Sequence, residues 1–241
     1  MTGIIALQKV EIKRGLLSKT RVPVPARWAD RFERWLTDKV ERWFPIGRAI
    51  DGLRVGSTES EPQPGLRRVE RALRLIRVCD PVNYSRVLRH LDRVWVRLIP
   101  SARAQYERQL NACVLDERFV LSETIQEIAS AIVHETTHAR LEHWGIAYDE
   151  KVRSRIEAIC IRRQLNFVGK LPGGEALRKG LVSSLQWYGG NQDYFSDARS
   201  HERHWQGVVE TAKHLGASAW LVRLISKFGE LLLAQRAASS K

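Results

Sequence analysis

Two histidines and a glutamate, in the run His134-Glu135-Thr136-Thr137-His138, are the residues of this chain best suited to chemistry. Residues four apart on an α-helix share one face and lie about 6 Å apart along the axis, so both imidazoles can reach one metal ion at about 2.0–2.1 Å. Glu135 points about 100° away, where it can hold a metal-bound water from the side without taking a coordination position. A cation acidifies such a water, and the glutamate is then the base that takes its proton as it attacks a carbonyl and returns it to the leaving amine. Without a cation, His134 would sit beside Ile132 and Val133 as a polar ring with no evident partner, which costs free energy.

The motif needs a buried helix. Ile125, Ile128, Ala129, Ile132 and Val133 form its apolar stripe, Thr124 and Glu127 fit the S/T-x-x-E capping box at its start, and Gly145 is a stop signal at its end.

The motif helix, the extended segment 113–121 before it and Arg155-Ile156-Glu157-Ala158-Ile159-Cys160 after it resemble the core of a gluzincin-type zinc metallopeptidase, over residues 112–165. The resemblance implies a Zn2+ cofactor, two His ligands plus a Glu from a second helix, and a catalytic Glu inside the HExxH motif. It also implies an edge strand, here 116–121, that pairs with an extended peptide or protein substrate. Members of that clan often carry an Asp four residues after the ligand Glu to orient a histidine; here that position is Ile161, so another group, such as a backbone carbonyl, has to do this. The metzincin pattern is not met, because Leu141 and Trp144 stand where a glycine and a third histidine are required.

Exclusion also leads to Glu157 as third ligand. Glu142 is a further turn along the motif helix, about 9 Å from the level of the metal, and His143 is about 140° round from His138. Glu150 falls at the start of the next helix, where the exposed N–H groups and the dipole already account for a carboxylate. Glu157 sits in mid-helix beside Ile156, Cys160 and Ile161, where a lone carboxylate needs a cation; the competing partners are Arg153 and Arg140. For an oxyanion-stabilising donor, Tyr188, Tyr194, Arg199, His201 and His204 are candidates, brought over the cleft by the loop Gly189-Gly190-Asn191. Cys160 reads most simply as a small core residue.

The elements that must position these groups are mostly helical. Residues 25–44 carry an aromatic stripe (Trp28, Phe32, Trp35, Trp43), 52–65 read as a linker, and Leu66, Val69, Leu73 and Ile76 oppose a row of arginines on the next helix. Strands are expected at 93–99 and 112–121, and helical blocks at 150–169, 175–188, 200–215 and 217–236. The expected fold class is α+β: a helix-rich, zincin-like domain with one small β-sheet and an active-site helix, spanning 61–241 after an N-terminal helical segment and linker at 1–60.

A net charge of +13 would attract phosphates or an anionic membrane surface, and names no partner by itself. The three cysteines are widely spaced and lack a CxxC pair, the amino terminus has no signal-peptide pattern, and no window reaches a membrane-spanning length, so a cytoplasmic protein is expected. The expected function is that of a zinc metallopeptidase, a hydrolase in which a Glu-activated, zinc-bound water attacks a peptide carbonyl. Alternatives are a zinc hydrolase of a non-peptide amide or ester, a metal-bound protein with little turnover, and a non-enzymatic basic protein binding nucleic acid or a membrane surface.

Overall fold

The computed structural model describes residues 46–58 and 62–239. All belong to the unit Phe44–Lys241; the other unit, Met1–Trp43, lies outside the described residues, and with it the expected aromatic helix at 25–44. The fold is α+β, with eight helices and a five-stranded mixed sheet among the described residues.

The described residues open with a hairpin of β1 (Ile46–Ile50) and β2 (Leu53–Ser57), turned by Asp51 and Gly52 at φ 49° and 89°. Two successive positive φ values suit the right-handed twist of a two-residue hairpin, and Asp-Gly is a pair that adopts them readily. The stretch 52–65, expected as a linker, thus holds a strand and, from Pro62, the start of helix α1 (Pro62–Cys79). Leu66, Val69, Leu73 and Ile76 of α1 are buried and Arg67, Arg71, Arg74 and Arg77 are exposed, as the helical period requires. Asp80 caps α2 (Pro81–His90) by accepting the Asn83 N–H at 3.1 Å.

Strand β3 (Arg93–Arg97) returns parallel to β2; β4 (Ala104–Glu107) and β5 (Ala112–Asp116) follow, giving the order β1-β2-β3-β5-β4. Period-two alternation puts Val94, Val96, Cys113 and Leu115 against the helices, while Trp95, Ile99, Ala112 and Val114 form a smaller cluster. Two expectations are corrected here. The extended stretch ends at Asp116, whose side chain caps helix α3 (Glu117–Ser122) by accepting the Phe119 N–H at 3.3 Å, and which also accepts the Ile99 N–H and pairs with Arg118. And β5 lies between β3 and β4, so 116–121 is not an edge strand; that place belongs to β4, which among the described residues pairs only with β5, antiparallel.

Helix α4 (Ile125–His143) carries the HExxH run and packs against α1, α2 and α5 (Glu150–Val168). Helix α6 (Glu175–Gly190), a 3-10 turn (Gln192–Phe195), α7 (Asp197–His214) and α8 (Ala219–Ser239) complete the described residues. No described helix is long and apolar enough to cross a membrane.

Candidate metal centre

The start of α4 is fixed by the expected capping box: Glu127 accepts the Thr124 N–H at 2.9 Å while Thr124 accepts the Glu127 N–H at 3.2 Å. Its end is fixed by Gly145, at φ 78°, whose N–H reaches the Glu142 carbonyl at 2.7 Å. Within the motif, Thr136 and Thr137 donate back to the carbonyls of Ile132 and Val133 at 2.7 and 2.8 Å, so their hydroxyls are occupied by the helix itself.

His134 and His138 bring their Nε2 atoms to 3.1 Å of each other. Residues 145–149 turn the chain so that α5 packs along α4, and Glu157 arrives with one carboxylate oxygen 3.2 Å from His134 Nε2 and the other 3.4 Å from His138 Nε2. Two ligands of a tetrahedral ion bonded at about 2.0–2.1 Å lie about 3.3–3.4 Å apart, close to the separation of the two nitrogens and of each nitrogen from one carboxylate oxygen.

The tautomer of His134 supports the same reading. Gln164, two turns beyond Glu157 on α5, directs its Nε2 to the Ser130 carbonyl (3.3 Å) and hydroxyl (3.1 Å). A carbonyl only accepts, so the amide oxygen of Gln164 is the end that faces His134 Nδ1, at 2.8 Å. Nδ1 therefore carries a proton, and Nε2, which donates to Glu157 in the metal-free protein, is the nitrogen that would ligate a metal once its own proton is lost. Gln164 thus fills the place left open by Ile161, and a side-chain amide rather than a backbone carbonyl orients the ring.

The electrostatics are those of a buried charged cluster. Burial alone would lower the His134 pKa, but the hydrogen bond to Glu157, with the charges of Glu135 and Glu157, raises it to about 9 in the metal-free protein. Burial pushes the Glu157 carboxyl up, and its bonds to the two histidines more than reverse this, holding it far below the usual carboxylate range. Tyr148 donates its hydroxyl to Glu157 and stands edge-on to His138, with ring centroids 5.2 Å apart. Burial and the Glu157 charge raise its phenol well above the ordinary value.

Glu135 is 6% exposed. Burial raises its pKa, opposed by His134, His138 and the backbone N–H of Tyr106 on β4. Glu135 thus stands between the histidines and the edge strand. Together these groups line a cleft of about 480 Å3 whose walls are Ala104, Gln105 and Tyr106 of β4 on one side and Tyr148, Ile156 and Glu157 on the other.

The remaining candidates do not converge on this point. Glu142 pairs with Arg108, and Glu150 accepts the Asp197 N–H at 3.0 Å. His143 lies edge-on to His90 at 5.5 Å. The competitors for Glu157 are engaged elsewhere: Arg153 binds Asp197 at 2.8 Å and Arg140 stacks over Trp144. Tyr188 and Tyr194 belong to an aromatic cluster with Trp187 and Phe195. Tyr188 is pushed up to about 12 by burial and by the Glu157 charge, yet it does not line the cleft. Arg199 pairs with Asp193 and Glu202 at the surface, and His201 and His204, both on α7, are also outside the cleft.

Two groups at the site were not anticipated. Gln164 had a signal, since seven residues after Glu157 is two helical turns and the same face. Tyr148 had none, because it precedes α5 in a loop whose path the sequence pattern does not encode.

A second possible donor is Cys160, whose Sγ forms a set with the two histidine nitrogens in which every atom lies within 4.8 Å of the others. Its side chain is fully buried against Leu141 and Ile156, and burial raises its thiol pKa strongly. Each histidine nitrogen has a Glu157 oxygen at 3.2–3.4 Å, and Glu157 lines the cleft whereas Cys160 does not, so the carboxylate is the better placed third donor. Compared with protein-family models, with curated proteins and with solved structures, the chain matches none.

Proposed function

We propose that this protein is a zinc-dependent hydrolase of the peptidase type, with His134, His138 and Glu157 as metal ligands and Glu135 as general base. The observation that carries the reading is the convergence of two imidazole nitrogens and one carboxylate, with N···N and N···O separations of 3.1–3.4 Å, beside the buried Glu135 that is not among them, inside a cleft. When bound, zinc would supply Lewis acidity toward water and toward a carbonyl oxygen.

The chain's own residues do the rest. Gln164 holds His134 in the tautomer whose Nε2 can ligate, and Glu135 accepts a proton and returns it to the departing amine. Of the two phenols that line the cleft, Tyr106 donates to Asn111 and Tyr148 to Glu157 at the metal site, so Tyr148 takes the place of the five earlier candidates as the residue to stabilise an oxyanion. The open side of β4 forms one wall of the cleft, so an extended peptide can add to it as a further strand.

A metal site with little turnover, using Cys160 in place of Glu157, is the second reading, favoured by the His134/His138/Cys160 grouping. Purified protein separates the readings. About one zinc per chain with cleavage of a peptide library, lost in Glu135→Gln, supports the hydrolase; zinc without cleavage supports the second; and no zinc overturns both. A thiolate-to-metal absorption band in the cobalt-substituted protein would identify Cys160 as the donor.

A further inference from the structure

Helix α4 ends against a second cavity, of about 660 Å3, that shares no lining residue with the histidine cleft. Its walls include Arg86, Arg89 and His90 from α2, and Arg140, His143 and Trp144 from the last turn and cap of α4. Arg163 of α5 adds its charge to those acting on Arg140. No ion pair joins Arg86, Arg89, Arg140 or Arg163 to a carboxylate among the described residues. Arg86 donates to the amide oxygen of Asn83 at 2.8 Å, and Arg140 lies over the Trp144 ring at 4.2 Å.

The carbonyl ends of α2 and α4 meet near this cavity, and each favours a cation. That accounts for one or two of the charges. It does not account for three arginines with two histidines, the rings of His90 and His143 only 5.5 Å apart. Burial lowers the His90 pKa, and His143, Arg140, Arg89 and Arg86 all push it the same way. Like charges gathered without a counter-charge repel one another, so the cavity has a standing attraction for an anion. Guanidinium forks match phosphate oxygens two at a time, and the volume lies within the range of about 300–1,000 Å3 usual for small-molecule sites. Trp144 and Val82 stand 57% and 58% exposed at its edge, apolar surface on which the rest of a ligand can rest.

We infer that this cavity binds a small molecule carrying two or more phosphate groups, held by Arg86, Arg89 and Arg140 with Trp144 alongside. The inference is independent of the metal reading, since no residue is common to the two cavities. A phosphoinositide or phosphatidylglycerol headgroup would present the same chemistry from a membrane, and the test separates that source.

The full chain is titrated calorimetrically with sodium pyrophosphate at low ionic strength. Saturable binding of about one per chain is expected, weakened at least about tenfold in Arg86→Gln/Arg89→Gln. The double change Arg67→Gln/Arg71→Gln removes the same charge from the exposed face of α1 and should alter affinity less than about twofold. Absence of saturation, or equal weakening in both double variants, overturns the site. Flotation with vesicles of phosphatidylcholine and phosphatidylglycerol in equal parts is the second arm. Vesicle binding that depends on Arg86 and Arg89, without pyrophosphate binding, overturns the soluble ligand and assigns the cavity to lipid headgroups.

Discussion

Helices α4 and α7 both carry two histidines with a glutamate beside the first, His134-Glu135-Thr136-Thr137-His138 in one and His201-Glu202-Arg203-His204 in the other. On a helix, residues three or four apart are neighbours on one face, so spacing alone permits a chelate in either. In α7 nothing is gathered. His201 Nδ1 is 2.6 Å from the Asp197 carbonyl, Glu202 accepts from Arg199 at 2.8 Å, and His204 is exposed, edge-on to Trp205 at 6.1 Å. In α4 the rings face α5, which contributes Glu157 as a third donor and Gln164 as the group that fixes the tautomer. The difference lies in the facing element and in burial, which leaves the α4 groups to satisfy one another or a cation.

The sharpest way to break this comparison is Glu157→Ala. Zinc affinity should fall by more than about a hundredfold and hydrolysis should vanish, since ligand loss exceeds the 10–100-fold typical of losing a residue that only orients a ligand. A variant that keeps stoichiometric zinc after mild chelation would refute the assignment. Glu135→Gln is next: turnover should fall by about 10²–10⁴, with zinc content and thermal midpoint nearly unchanged, because the amide keeps the shape but accepts no proton. Retained activity there would remove Glu135 from the reaction. Gln164→Ala should weaken zinc binding by about 10–100-fold, and Gln164→Glu, which still offers an acceptor to Nδ1, should recover much of it. If the alanine variant binds zinc normally, the orienting role is wrong.

A subtler effect concerns pH in the chelated protein. Glu157 holds His134 up at about 9, above the ordinary value of about 6.5, so the contact stabilises the metal-free fold fully below about 6.5 and its contribution is lost as pH rises through about 9. Denaturant midpoints should decline across that window, and His134→Gln should abolish the decline. The smallest change is expected on the other helix. His204→Gln and Glu202→Gln should leave zinc content intact and shift stability by less than about 0.5 kcal/mol; loss of metal on either would mean that α7 contributes to the site after all.

Much of the framework was legible residue by residue. The capping box Thr124/Glu127, the stop at Gly145 and the buried stripe of α1 follow from local rules, and all three are present. Exclusion singled out Glu157 because Glu142 lies too far along the helix axis and Glu150 has a local explanation at its helix start, and both are found in separate pairings. Asp116 shows where the local pattern misleads. An apolar run from Ala112 to Leu121 reads as one strand, but an Asp at its midpoint can accept N–H groups of a following turn, and burial of Phe119 and Val120 is served equally by a helix. The edge position went to β4 because strand order depends on crossovers, and a short strand of half-buried residues carries little alternation to announce it.

The sequence by itself determined that α4 is a capped helix with two imidazoles on one face and a carboxylate beside them. Those relations span one or two turns, and helix geometry sets them wherever the helix lies. Only the tertiary structure decided what that face meets. The approach of Glu157, the Gln164–Ser130 clamp on His134, the insertion of Tyr148 and the closing of Glu135 against Tyr106 join residues 9 to 34 positions apart. Apolar periodicity states that a face is buried without naming its neighbour. The neighbour is fixed by the path of the loop at 145–149 and by the close packing of α4, α5 and the sheet, which no local window contains.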